Sequence, residues 1–432
     1  MRGDAPLDRR GIPVTEVGPT ANLGASVSPI ARGSVARVGT ATVLTALCGY
    51  AVVYLAARDL APAGFSVFAV FWGAFGLVTG AANGLLQETT REVRAGGYTE
   101  VLPGRRTHPL RVAGLVGLGA AFVIAVSSPL WSSRVFADDH WLSVGLLSVG
   151  LAGFCLHATL LGLLAGVSHW TQYGALMVTD AVIRVAVAVA TFMIGWGLVG
   201  FLWATVTGAV AWLVMMVASP TTRTAARLLT PGGAATFLRG AAHSITAAGA
   251  SAILVMGFPV LLKATSNQLG TDGGVVILAV TLTRAPLLVP LTAMQGNLIA
   301  HFVDERAERL RALVAPAALV GGIGGLGVLA AGVVGPWLLR AGFGPDYHAA
   351  GALLAWSTAA AVAIAMLTLT GAATIAAALH RAYALGWVGA TVAATLLLLL
   401  PLPLATRTVV ALLCGPLVGI AVHLAALSRA GG

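Results

Sequence analysis

Apolar residues run through this chain in long blocks, each interrupted by a short polar, glycine- or proline-bearing stretch. The stretch FSVFAVFWGAFGLVTGAANGLLQETTREVR (65–94) sets the pattern. Its first part holds no charge for more than 20 residues, enough at about 1.5 Å per residue to cross a ~30 Å hydrocarbon layer. It then meets Glu88, Arg91, Glu92 and Arg94, which predicts a membrane helix ending in a charged, water-facing turn. The same reading along the chain predicts spans over 38–57, 65–87, 110–131, 142–166, 173–195 and 197–218, then over 241–262, 273–298, 313–338, 350–373, 383–403 and 408–427. The expectation is an all-α polytopic membrane protein of about twelve helices. Residues 1–35 carry no apolar periodicity and read as a flexible cytoplasmic tail without signal-peptide features.

The blocks also repeat. The run 274–300 ends in FVDERAERLRA, with Arg306 in the place of Arg94. PLWSSRVFADDH (129–140) returns as PWLLRAGFGPDYH (336–348), matching Pro129 to Pro336, Phe136 to Phe343, Asp139 to Asp346 and His140 to His348. HWTQYGALMV (169–178) returns faintly as HRAYALGWVG (380–389). A shared offset and order make the chain two copies of one unit: a lobe over 36–218, a cytoplasmic connection over 219–240 and a lobe over 241–432. Six spans per lobe is even, so the lobes share orientation and are expected to obey a pseudo-two-fold axis along the membrane normal.

Composition agrees: 58% hydrophobic and 9% charged residues with a mean hydropathy of +0.91 exclude a soluble globular chain. The net charge of +10 does not mark a nucleic-acid binder, because the basic residues follow a membrane rule. With the N-terminus inside, inner segments hold 18 Lys and Arg against 5 in outer loops, so both termini are expected in the cytoplasm of a bacterial inner (plasma) membrane. Cys48, Cys155 and Cys414 fall in apolar runs without CxxC spacing and read as small core residues.

Polar residues inside the spans are the candidates for function, because a charge at mid-bilayer costs about 2.5–3.5 kcal/mol on insertion scales and must face protein or water. Arg184 and Arg284 each lie about eleven residues into their spans. Asp180 precedes Arg184 by one turn, so the two form an expected ion pair; Arg184 either neutralises Asp180 or also meets substrate. Arg284, in TRAPLLVPL beside Pro286 and Pro290, has no carboxylate one turn away. The prolines favour a kinked helix lining a cavity, with Arg284 as a substrate-facing cation or a structural one paired across helices. Arg37 and Arg239 stand at corresponding inner starts of the first and seventh spans, as headgroup contacts or as ordinary anchors. Asn83, Gln87, Gln295 and Asn297 lie near the inner ends of the second and eighth spans, placed for sugar hydroxyls or helix bridging. His157, His243 and His423 stand apart from other ligands, so no metal site is expected. GGIGGLG (321–327) has no βαβ context, and its glycines read as sites of close helix packing. Asp138 and Asp139 form the one acidic pair of glycosyltransferase type, although their place in a repeated loop favours a structural turn.

RDLAPAGFSVFAVFWGAFG (58–76) followed by TTREVRAGG (89–97) resembles the start of polysaccharide-biosynthesis, O-antigen-type flippases of the multidrug/oligosaccharidyl-lipid/polysaccharide (MOP) superfamily. LLAGVSHWTQYGALMVTDAVIRV (163–185) is similar to their turn between the fourth and fifth helices, and GPWLLRAGFGPDYHAAGALLAW (335–356) to their loop before the tenth. The resemblance covers most of the chain from about residue 36 onward. It implies two six-helix lobes forming a V around a central cavity, moving a polyprenyl-(pyro)phosphate-linked saccharide between leaflets. By that analogy Arg284 and Arg184 belong in the cavity, and Arg37 and Arg239 at its cytoplasmic mouth. The implied partners are the polyprenyl-linked saccharide, membrane lipids and envelope glycosyltransferases, for a monomer without cofactor. Membrane potential and an ion gradient both stay open as energy source. The alternatives are an ion-coupled drug or metabolite antiporter of the same superfamily and a membrane glycosyltransferase. The first span lacks a carboxylate and Asp180 is the only deep one, which sets the chain apart from ion-coupled relatives.

Overall fold

The computed structural model describes residues 32–96, 106–136, 140–305 and 309–431; among these, the side chains of 32–36, 96, 293, 295–297, 300, 309 and 431 lie outside the description. The chain is a bundle of helices. In order they are α1 (Arg32–Gly96), α2 (Pro109–Ser127), α3 (Ser132–Val135), α4 (His140–Gly166), α5 (Trp170–Ile194), α6 (Gly197–Thr207), α7 (Ala211–Ala218) and α8 (Pro220–Ala226). There follow α9 (Ala234–Val255), α10 (Phe258–Ala264), α11 (Gly270–Asp304), α12 (Arg309–Ala312), α13 (Val314–Val333), α14 (Gly335–Phe343), α15 (Gly351–Ala376), α16 (His380–Leu398) and α17 (Leu404–Gly431). One two-residue antiparallel pair, Arg106–Thr107 with Thr230–Pro231, ties the start of α2 to the connection before α9.

At 65 residues α1 is roughly three times too long for one ~30 Å crossing. It turns at Ala61 (φ 52°, ψ 171°), the residue before Pro62. A proline ring excludes its predecessor from the α region and removes one ladder N–H, so the chain breaks there. The stretch 58–64, expected as a loop, is therefore helical on both sides of one turned residue. Ten helices among the described residues are long and apolar enough to span, α1 contains two crossings, and the bent pair α9–α10 supplies the twelfth. That pair bends by 67° at Met256–Gly257, where the sequence predicted one straight span; Gly257 and Pro259 weaken the ladder at this point. The sixth crossing, α6–α7, is interrupted by a 3₁₀ turn at Gly208–Val210.

The internal repeat is visible in the backbone. Ser168 (φ 60°) and Ala378 (φ 59°), 210 positions apart, are both left-handed without being glycine. Each closes the helix before it through the next amide: His169 N donates to Leu164 O at 2.8 Å and Leu379 N to Thr374 O at 2.9 Å. Ala61 and Gly270 (φ 53°) repeat the turn before the second and eighth crossings.

The halves meet along the second limb of α1. Gly73, Gly76, Gly80 and Gly84 face Pro259, Met256, Ala252 and the Ser244–Ile245 backbone of α9–α10. Small residues one turn apart let two backbones approach, which is how helices bind one another where lipid removes the hydrophobic drive. In GGIGGLG only Gly324 makes such an approach, against Val362; Gly322 and Gly325 meet nothing within 4 Å. Two sides of the bundle can be named: the arginine-rich side, holding Arg37, Arg91, Arg94 and Arg239, and the far side, holding the turn at Ala61.

Candidate functional site

Charges inside an apolar bundle settle where backbone carbonyls have lost their helical partners. The 3₁₀ turn at Gly208 disturbs the i→i+4 ladder and leaves Thr205 O available. Arg184 takes it, donating from Nη1 at 2.5 Å. Its Nε lies 3.2 and 3.1 Å from the two Asp180 oxygens, and its Nη2 donates to Oδ1 at 3.0 Å. The guanidinium stacks 5.3 Å from the Phe75 ring centre. Gly208 is pressed directly on this pair, leaving no room for a side chain. His157 of α4 is buried within electrostatic reach of Asp180 and Arg184, stacked on Phe154 at 5.3 Å, with Nδ1 unpartnered among the described residues. The pair is thus neutral and held from every side.

Arg284 occupies the matching situation in the second half. The end of α9 leaves Val255 O free, and Arg284 Nη1 donates to it at 3.1 Å. Its guanidinium lies 5.4 Å from the Phe258 ring centre, on the far limb of the bend. Tyr50 of α1 is its electrostatic neighbour. Only 8% of Arg284 is exposed, and Nη2 has no partner among the described residues. Arg284 therefore sits in the seam between α1, the α9–α10 bend and α11, rather than on an open lumen. α11 runs as one helix through Pro286 and Pro290; the sharp bend lies beside it, at Met256–Gly257.

The remaining candidates lie on the arginine-rich side and are not drawn together. Arg37 is exposed and donates to Thr171 Oγ1 of α5 at 2.9 Å. Arg239 is exposed with no acid beside it among the described residues, and its carbonyl accepts from His243 Nδ1 at 2.8 Å. Asn83 is half-buried and Gln87 exposed, neither hydrogen-bonded among the described residues. Gln295 and Asn297 stand on α11 with side chains outside the description, and Asp138, Asp139 and Arg306 lie outside the described residues altogether. The predicted water-facing turn needs one correction. Glu88 is buried, turned against Gly240 of α9 and gripped by Arg91 (Nη2–Oε1 2.6 Å, Nε–Oε2 3.0 Å).

Three contacts pin the far side. Tyr347 donates to Ala57 O at 2.9 Å, Tyr54 and Phe343 rings meet edge-on at 5.4 Å, and Gly274 lies against Pro62 O. A further polar cluster escaped the sequence reading: buried His423 shares hydrogen bonds with Thr370 Oγ1 (3.0 Å) and Tyr383 O (3.3 Å). The glycines at 371 and 386, which leave room for that imidazole, were its only sequence signal.

No family model matches the chain. An uncharacterized protein of Mycobacterium bovis is 78% identical over 421 residues, covering 96% of this chain and 98% of the relative. An uncharacterized protein of Mycobacterium tuberculosis is 74% identical over 420 residues, covering 97% and 96%. Among solved structures, an inward-facing multidrug resistance MATE family transporter of the MOP superfamily aligns with TM-score 0.67 at 15% identity, over 91% of this chain and 95% of that one. A MOP superfamily transporter from Pyrococcus furiosus, described as having a binding pocket of reverse polarity, aligns at 0.61 and 14% identity, over 92% and 96%. The chain belongs to one family with these uncharacterized mycobacterial proteins, and it has the fold of the MOP superfamily transporters.

Proposed function

We propose that this chain is an alternating-access flippase that moves a polyprenyl-(pyro)phosphate-linked saccharide from the inner to the outer leaflet, breaking no covalent bond. In this reading the arginine-rich side faces the cytoplasm of a bacterial plasma membrane, and residues 36–218 and 241–432 rock about the glycine seam. One observation carries it. Asp180 is already neutralised, whereas Arg284 holds a buried positive charge with no acid against it among the described residues and one guanidinium nitrogen unpartnered. An opened seam would offer that nitrogen to a phosphate oxygen, and arginine suits one phosphate or two. Envelope glycosyltransferases would supply the saccharide.

The test is headgroup accessibility in proteoliposomes, with a fluorescent polyprenyl-linked sugar and a reagent that cannot cross the bilayer. Protein should expose the inner pool faster than empty vesicles; Arg284→Gln should slow this sharply, and Arg284→Lys should retain part of it. Unchanged accessibility across several lipid-linked sugars, with or without a membrane potential, would end this reading. A second reading, an ion-coupled antiporter, draws on the multidrug resistance MATE transporters that share the fold. It predicts gradient-driven efflux abolished by Asp180→Asn.

A further inference from the structure

We infer that the second half carries a binding site for one acyl chain of a phospholipid in the far leaflet, set between α11, α13, α14 and α15. A groove of about 510 Å³ opens there. Its floor is made of small residues of α13, Gly327, Ala330 and Ala331, and one wall is Leu282, Pro286 and Leu287 of α11. Thr283 and Thr358 also line it, yet their hydroxyls are spent on their own helices, on Ala279 O and Leu354 O, both at 2.8 Å. The surface offered is therefore apolar.

The occupant follows from where the groove lies. α13 is among the least covered crossings, with Gly324 its one buried residue, and Leu326, Leu329 and Val333 are exposed beside the groove. The groove is thus continuous with the lipid-facing belt. From Ile323 to Val334 it follows α13 for eleven steps of ~1.5 Å, roughly 16 Å, half the ~30 Å hydrocarbon layer and so the depth of one leaflet. It ends under α14, where Leu338, Leu339 and Phe343 line it and Trp337 and Arg340 are exposed. A tryptophan and a cation on a short helix at this depth match the headgroup level. Arg340 donates Nε to Pro336 O at 3.4 Å, and its other nitrogens, without a partner among the described residues, can meet a phosphate. Asp346, exposed after the end of α14, is the acid that follows Arg340 in sequence. The groove walls include the neighbours of Arg284 on α11, so an occupied groove buttresses the helix that carries this cation.

The experiment uses the full chain in nanodiscs with a phospholipid bearing a photoactivatable group on its acyl chain, against a diacylglycerol with the same chain. Peptide mapping should find label on 282–287 and 323–334 several-fold above that on the exposed α2 face at Leu115–Val126. Phospholipid should label more than diacylglycerol, and Arg340→Gln should erase that difference. Gly327→Leu should empty the groove of label while leaving α2 unchanged. A Cβ at 327 meets only Thr358 Cγ2, at an ordinary 3.5 Å, so this variant is expected to fold. Label spread evenly over α2 and α13, or unmoved by Gly327→Leu, would overturn the site. Displacement by polyprenyl phosphate but not by unlabelled phospholipid would also overturn it, reassigning the groove to an isoprenoid chain whether or not the flippase reading holds.

Discussion

Replacing Gly84 with alanine puts the seam between the two halves to a direct test. A Cβ at this position would run into the Ile245 amide and the Ser244 carbonyl carbon, which are backbone and cannot swing away. The two helices would have to separate, loosening the Gly80–Ala252 contact one turn further on. Overpacking of this kind costs about 1–3 kcal/mol, and a rigid backbone neighbour places it toward the upper end. Alanine's better helix propensity returns about 1 kcal/mol, for a net loss of about 2 kcal/mol. Gly119 and Gly145 supply the control, because a Cβ there meets nothing within 4 Å, and alanine should gain up to about 1 kcal/mol. Thermal unfolding in detergent, followed by the emission of the ten tryptophans, reads the difference. Gly84→Ala should melt below wild type, with Gly119→Ala and Gly145→Ala at or above it. Equal melting of all three would refute the close seam and the rocking axis built on it.

Ala61→Gly should raise the melting temperature, since a non-glycine residue at φ 52° and ψ 171° costs about 1–3 kcal/mol, more than glycine loses in unfolded-chain entropy; a drop would show that the turn is not held there. Tyr347→Phe leaves Ala57 O unpaired at a cost of about 1–3 kcal/mol and should open the far side, read as faster labelling of a cysteine placed at Phe343 by an impermeant thiol reagent. Burial, aided by Asp346, holds the Tyr347 phenol well above its ordinary 10.0. The sign follows: the neutral phenol is favoured in the fold, so its contribution is complete below pH 10 and is lost above it as the unfolded chain ionises. Labelling at 343, divided by the rate of a free thiol at the same pH to remove the rise in thiolate, should then be flat between neutral pH and about 9, and a rise in that ratio would contradict the buried latch.

Hydropathy made the twelve crossings legible because the bilayer demands length and apolarity and little else. It is blind to direction. Nothing in the apolar run 241–262 announces a 67° bend, and only the spacing of Gly257 and Pro259 marks it afterwards. The Asp180–Arg184 pair was readable, being one turn apart on one helix. Its third partner, Thr205 O, was not, because that carbonyl is freed by a 3₁₀ turn 21 residues away in sequence. Arg284 was found as a deep charge, but its seat depends on a carbonyl of another helix. Glu88 misled for the opposite reason: in a charged cluster it looks solvated, and only the bare backbone of Gly240 lets it fold inward.

Symmetry separates scaffold from function. A residue needed only to build the repeat should have a counterpart in both halves, as Ser168 and Ala378 do. Gly208 and Gly415 are such a pair on the sixth and twelfth crossings. Gly208 presses on Asp180 and Arg184, whereas Gly415 presses on Ala390 and Ala394, which lie 210 positions after them. The same backbone thus closes over two alanines in one half and over an ion pair in the other, so the fold does not require the charges. Replacing a buried pair by apolar residues is often neutral or stabilising, whereas removing one partner costs about 3–5 kcal/mol. The pair's side chains are 13% exposed, so the single-variant penalty should fall at or below the lower end of that range. Asp180→Ala with Arg184→Ala, copying the second half, should therefore melt close to wild type while Asp180→Ala alone melts lower. Transport decides the rest. A stable double variant that has lost transport assigns the pair to the mechanism; one that transports normally makes it a remnant of helix packing and leaves Arg284 as the deep charge on which the flippase reading depends.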